Sequence, residues 1–138
     1  MRESILCDIL YPMANHICDA CIITCIDFRL QEYINKWIAK NFQPGSFDRV
    51  AFAGGVKNLD SILEQIGISE RLHNIKKVVL INHEDCGAYG KENIPDEDAE
   101  YQRHSQNLKS AAAAVKEKHP DLKVETYYLY LNGTFEKV

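Results

Sequence analysis

Apolar positions fall along the chain in nearly continuous runs and in helical stripes, and the alternation of the two predicts the elements. Cys21 to Phe28 is a nearly continuous, β-branched apolar run, as in a strand covered on both faces. Leu30, Tyr33, Ile34, Trp37 and Ile38 then form a helical stripe, predicting a helix over Leu30 to Phe42 that Pro44-Gly45-Ser46 breaks. A second short strand is expected over Asp48 to Ala53, ending in Gly54-Gly55. Ser61-x-x-Glu64 has the form of a capping box. The helix after it buries Leu59, Ile62, Leu63 and Ile66 and is weakened at Gly67, which leaves its continuation through Ile68 to Leu72 open. Lys77 to Asn82 is a third strand and Gly87 to Glu92 a polar loop. The longest helix starts at Pro95-Asp96-Glu97-Asp98, with acids at its positive end. It ends near Lys116, Lys118 and His119, and Pro120 stops it; the Ala111 to Ala114 run is a close-packed face. Val124 to Leu131 is a fourth strand. Asn132-Gly133 signals a type I′ hairpin returning through Thr134 to Val138 as a brief fifth strand. Met1 to Ala20 is a leading arm that Pro12 limits to about one helical turn. This order predicts an α/β fold, a mostly parallel four- to five-stranded sheet with helices on both faces. In such sheets, sites lie at the carboxyl ends of the strands.

Length and composition narrow the class. The 138 residues suggest one domain, 1–138, and 46% hydrophobic with 26% charged residues is ordinary for a soluble globular chain. The net charge of -4, with Lys and Arg dispersed, favours neither nucleic acid nor an anionic membrane. No apolar run approaches the ~18 residues of a membrane span. Glu3 and Asp8 make the N-terminus a poor signal peptide, so a cytoplasmic location is expected. Five cysteines, an odd number, then point to free thiols or metal ligands rather than a disulfide framework.

The candidate chemistry lies at two strand ends. The third strand runs into His83-Glu84-Asp85-Cys86-Gly87, where Gly87 would let the chain turn, and the first into Cys25-Ile26-Asp27-Phe28-Arg29. Zinc takes thiolate and imidazole ligands, and a catalytic zinc keeps one position open, so Cys25, His83 and Cys86 would supply three ligands. The alternative is a buried cysteine beside a surface histidine. On a straight strand Asp27 faces the same way as Cys25, roughly 6–7 Å further on. It would stand behind the ligands there, or join them if the strand end bends. Arg29 can pair with it, although such a pair also caps a helix beginning at Leu30. Cys18-x-x-Cys21 is a rival zinc knuckle or redox pair. However, an extended chain separates Cys21 from Cys25 by about 13 Å, so those two cannot share an ion. Cys7, Cys18 and Cys21 read as structural or free thiols. Gly54-Gly55 is either a turn with unusual backbone angles or backbone lying close to the site. No phosphate-loop or dinucleotide fingerprint is present. His16, His73, His104 and His119 read as surface residues.

Cys25-Ile26-Asp27-Phe28-Arg29, Ala53-Gly54-Gly55 and His83-Glu84-Asp85-Cys86-Gly87 together resemble, in order and spacing, the β-class carbonic anhydrases. That family carries Cys-x-Asp-x-Arg, Ala-Gly-Gly or Ala-Gly-Asn, and His-x-x-Cys-Gly. The resemblance spans roughly Cys21 to Val138 and implies a β-carbonic-anhydrase-like fold. It implies Zn²⁺ on Cys25, His83 and Cys86, with Asp27 and Arg29 as the catalytic pair. It also implies reversible hydration of CO₂ to bicarbonate by a metal-bound hydroxide, in a homodimer or higher homo-oligomer. Phe28, Phe52, Gly54, Gly55 and Gly87 would line the substrate pocket. Hydrolysis of CS₂ or COS by the same attack, or zinc binding without turnover, are the alternatives. Three features depart from the family: Ala51-Phe52 where Arg-Asn is common, the large Phe28 where Ser or Ala is usual, and a short arm before Cys21.

Overall fold

The computed structural model describes residues 16–138; the helical turn expected in the leading arm, and Cys7, lie outside the described residues. Five strands are formed, β1 (Ala20–Cys25), β2 (Phe47–Phe52), β3 (Lys77–His83), β4 (Lys123–Leu129) and β5 (Phe135–Lys137). Between them lie α1 (Gln31–Asn41), α2 (Leu59–His73) and α3 (Glu97–Lys118). The sheet order is β2-β1-β3-β4-β5, with β5 alone antiparallel to its neighbour. This is the mostly parallel α/β fold with helices on both faces that the alternation of elements predicts.

Strand periodicity divides the core into two layers. Cys21 and Ile23 of β1, with Val78 and Leu80 of β3, pack against Ile62 and Ile66 of α2 and Leu108, Ala111 and Val115 of α3. The intervening residues Ile22, Val79 and Ile81 point the other way, onto Leu30 and onto Ile34 and Ile38 of α1. Both sides of the central strands are therefore dry, which is why they read as unbroken apolar runs. The path of the chain follows from handedness. The crossover from β1 to β2 carries α1 over one face; β2 to β3 steps back across β1 and carries α2 over the other, as right-handed connections require.

Several local features differ from the sequence pattern. Asn58, not Ser61, caps α2: its side chain accepts from Ser61 N at 3.4 Å. The helix runs unbroken through Gly67 to His73, because Ile62, Ile66 and Ser69 bury one continuous stripe and outweigh the ~1 kcal/mol glycine penalty. Asp96 caps α3, accepting from Ala99 N at 2.8 Å. The last hairpin is not a type I′ turn. Gly133 N donates to Tyr130 O and Tyr130 N to Thr134 O, both at 2.9 Å, so Leu131-Asn132 form the turn. Gly133 alone has positive φ (94°), giving a bulged loop instead of a two-residue one.

The turn after β2 needs its glycines. Gly54 (φ 89°) and Gly55 (φ 59°) lead into a 3₁₀ turn, Gly55–Lys57, whose Val56 N donates to Asn82 Oδ1 at 3.1 Å. A Cβ at Gly55 would collide with Asn82 Oδ1 and stand 2.9 Å from Ile81 O. Gly55→Ala is therefore expected to lower unfolding free energy by about 2 kcal/mol, strain and overlap combined. Urea denaturation checks this; an unchanged midpoint would refute the tight approach.

Candidate metal centre

β1 and β3 pair side by side from Ala20↔Lys77 to Ile23↔Leu80, and beyond that register they part. The chain leaves β1 toward α1 on one face and leaves β3 toward α3 on the other. A crevice opens at this switch point. Cys25, His83 and Cys86 meet in it. Their ligand atoms lie within 4.8 Å of one another, and the two sulfurs are 3.9 Å apart. All three residues are buried. The turn between His83 and Cys86 falls on Asp85 (φ 58°) and not on Gly87, where φ is not positive and an added Cβ would meet nothing. Buried Glu100 holds that turn by accepting from Asp85 N at 2.9 Å, and Glu84 ties it to the last hairpin by accepting from Leu131 N at 2.9 Å.

Protonation follows from the hydrogen bonds. His83 Nδ1 lies 2.6 Å from Glu84 O, which can only accept, so Nδ1 carries the proton. The lone pair of the neutral ring is then on Nε2, which is buried without a hydrogen-bond partner. Cys25 Sγ accepts from Gly54 N at 3.3 Å. The two thiols can share a proton, which lowers the Cys25 pKa and raises that of Cys86, since a second thiolate so close is resisted. Burial pushes His83 down, but its contact with Cys25 prevails and the net shift is upward.

Asp27 is nearer than a straight strand would put it. β1 ends at Cys25, the chain bends, and Asp27 Oδ2 comes to 3.8 Å from His83 Nε2. Gln31 secures the bend by donating to Cys25 O at 3.2 Å and Asp27 O at 2.8 Å. Asp27 also caps the 3₁₀ turn Phe28–Leu30, accepting from Arg29 N at 2.9 Å, so capping and pairing coexist. The Arg29 guanidinium grips both carboxylate oxygens of Asp27, at 2.7 Å and 3.1 Å for the shorter contacts, and holds its pKa down to about 2. Arg29 then reaches the other strand end, donating to Asp85 Oδ2 at 3.0 Å and Asp85 O at 2.9 Å. Asp85 in turn pairs with Lys91 at 2.9 Å. Of the pocket residues expected from the sequence, Phe28 is 85% exposed, and Phe52 is half-buried beside Cys25 in the sheet register. Gly54 touches the Cys25 sulfur, Gly55 backs onto Asn82, and Gly87 is exposed.

His104 is not a surface residue. It is fully buried, and its Nδ1 lies 2.9 Å from Asn82 Nδ2, which also donates to Tyr89 OH at 2.9 Å. Because Asn82 Oδ1 takes the Val56 N–H, one asparagine joins the glycine turn, the end of β3 and α3. A helical stripe would have revealed this: Glu100, His104, Leu108, Ala111 and Val115 share one buried face. His16 is exposed as expected, whereas His73 and His119 are half-buried against Asp48 and Glu70, each at 2.6 Å. Cys21 is fully buried in the core, which removes it as an accessible redox partner for Cys18.

Residues 15–138 match the family model described as "Putative carbonic anhydrase". The chain belongs to this family. An uncharacterized protein of Rickettsia bellii is 32% identical over 130 residues, covering 85% of this chain and 79% of its own length. One from Rickettsia conorii is 33% identical, covering 85% and 70%. Among solved structures, a carbonic anhydrase from Streptococcus mutans superposes with TM-score 0.65 at 17% identity, covering 100% of this chain and 99% of that one. Tetrameric β-carbonic anhydrases from Sordaria macrospora give 0.62 at 13% (94% and 85% covered), and an apo carbon disulfide hydrolase gives 0.55 at 18% (92% and 82%). The fold is that of the β-carbonic anhydrases.

Burial pushes the His104 pKa down to about 4, against an ordinary value of 6.5. The unfolded chain therefore binds a proton between these values that the folded carbonic anhydrase fold refuses. Stability should fall as pH drops from 6.5 toward 4, by a few kcal/mol in full. His104→Gln should flatten that segment of the pH–stability curve in urea titrations. An identical slope in the variant would mean that His104 does not titrate as its burial requires.

Proposed function

We propose that this chain is a zinc-dependent carbonic anhydrase, interconverting CO₂ and bicarbonate at the crevice where Cys25, His83 and Cys86 meet. The observation that carries this reading is the buried, partnerless His83 Nε2 beside two thiols. A polar atom left so is costly without a partner, and an imidazole with two sulfurs suits a borderline-soft, tetrahedral cation. Bound there, Zn²⁺ would act as a Lewis acid and bring a water pKa from ~15.7 toward neutrality.

The chain's own residues do the positioning. Asp27 stays ionised because Arg29 holds it, and it faces the crevice 3.8 Å from His83 Nε2. It can accept a hydrogen bond from a water there and fix the direction of the remaining lone pairs. Arg29, anchored in turn by Asp85, keeps the carboxylate from rotating away. Gly54 N steadies the charge on Cys25. Ile26 and Phe28, which flank Asp27 in the chain and are 59% and 85% exposed, are apolar, and that suits a small apolar substrate. That surface also suits CS₂ or COS, the second reading, and a carbon disulfide hydrolase shares the fold. Among the described residues β2 is an edge of the sheet, which together with the tetrameric structural neighbours supports a homo-oligomer. The four described cysteines are free, which supports a reducing, cytoplasmic location. Among the described residues no helix is long and apolar enough to cross a membrane.

Metal analysis and stopped-flow CO₂ hydration on the same sample test the proposal. His83→Ala and Cys86→Ser should each lose one ion per chain and all hydration. Asp27→Asn should keep that ion and lose roughly a hundredfold in kcat. Zinc-replete protein without hydration above buffer would overturn the reading, and turnover of CS₂ or COS by that sample would establish the second.

A further inference from the structure

A second cluster of ligand-type side chains lies at the other end of the sheet, where β1 and β2 begin. Cys18 precedes β1, Asp48 is the second residue of β2, and His73 is the last residue of α2. The Cys18 sulfur, an Asp48 carboxylate oxygen and a His73 ring nitrogen lie within 4.8 Å of one another, and each residue is half-buried. A second imidazole is at hand: the His16 ring packs edge-on against His73 with centroids 4.8 Å apart, and His16 is exposed. Backbone bonds fix the approach of these segments. Cys18 N donates to His73 O at 3.0 Å, and Asp19 O receives Lys76 N at 3.0 Å. The cluster is thus assembled by the fold and not by side-chain wandering.

We propose that Cys18, Asp48 and His73, with His16 as the fourth group, form a separate binding site for a divalent cation of the zinc type. Sulfur, imidazole and carboxylate are the donors such an ion takes, and four of them complete a closed, structural shell. On binding, Cys18 loses its proton to solvent, and the sulfur lone pair joins the ion. No electron transfer is involved. The His73 Nδ1–Asp48 Oδ2 contact at 2.6 Å already brings two donor atoms together; an ion bound between them would replace that hydrogen bond, with the ring proton on Nε2. Ser69 donates to the same carboxylate oxygen and steadies it. An ion here would clip the segment before β1 to the edge strand and to the end of α2. It would not take part in chemistry at the crevice, and the inference is independent of the carbonic anhydrase reading.

Purified full-length protein, stripped with a chelator, is titrated with Zn²⁺ against a chromophoric competitor and, separately, with Co²⁺. Wild type should take about two ions per chain, and Cys18→Ala and His73→Gln about one each. Cys86→Ser should also take about one, and its Co²⁺ form should still show thiolate-to-cobalt charge-transfer absorption, which Cys18→Ala/Cys86→Ser loses. Circular dichroism identifies a variant that has not folded, in which case the Co²⁺ spectrum of Cys86→Ser alone decides. A wild-type count of one that Cys18→Ala keeps, or a Cys86→Ser protein without the thiolate band, overturns the site. A count of one that Cys18→Ala loses and Cys86→Ser keeps would uphold this site and sink the zinc reading of the crevice.

Discussion

The structure depends on β1 and β3 lying side by side although β2 comes between them in sequence. That pairing makes the centre of the sheet, buries Ile22, Ile23, Val79 and Leu80 completely, and forces the chain to leave the two strands over opposite faces. The crevice is a consequence of this topology. Neither Cys25 nor the His83–Cys86 pair is a site alone. The central register puts them within 4.8 Å, and a slip of either strand by one residue would turn one set away from the other.

A polar network keeps this arrangement from being only a meeting of hydrophobic strands. Asn82 sits near the end of β3 with its side chain making three buried hydrogen-bonding contacts, to Val56 N, Tyr89 OH and His104. It thereby locates the glycine turn whose Gly54 N touches the Cys25 sulfur. A buried polar residue that must satisfy several partners at once admits few alternative packings. Arg29 does the corresponding work on the outside, joining Asp27 on one strand end to Asp85 on the other. Arg29 thus ties the two strand ends directly, while Asn82 ties the end of β3 to the glycine turn that meets the Cys25 sulfur.

Most of this fold was legible in the sequence because the unbroken runs of the central strands and the 3.6-residue stripes of the helices are written directly into the apolar positions. Pro44-Gly45, the Gly54-Gly55 pair and Pro120 mark where one gives way to the other. The three ligand-type residues were legible for the same reason, since each follows an apolar run. What the pattern did not carry was tertiary. His104 sits among polar neighbours in the chain, and only its spacing to Leu108, Ala111 and Val115 places it in the core. Asp85 takes the positive-φ position that Gly87 seemed suited for, because Glu100, on another element, holds its backbone there. Asp27 approaches His83 because the chain bends after Cys25, and no local residue pattern states the size of a bend.

The charges around the crevice show why the proposed cation suits its interior and not its rim. Asp27 is matched by Arg29, and Asp85 by Arg29 and Lys91, so the exposed rim balances itself. The buried interior does not. Two thiols 3.9 Å apart can bear one negative charge between them, and the second is strongly resisted, while the imidazole beside them keeps a lone pair with no donor. Replacing both sulfurs by apolar groups would remove the difficulty, as hydrophobic replacement of buried ionic groups often does. The sequence instead keeps three donors that a dication, as proposed, would satisfy together: it would remove the repulsion, take the lone pair and neutralise both thiolates. The frame built by β1 and β3 therefore does more than pack: its register gathers two sulfurs and an imidazole into one donor set of the kind a zinc ion takes.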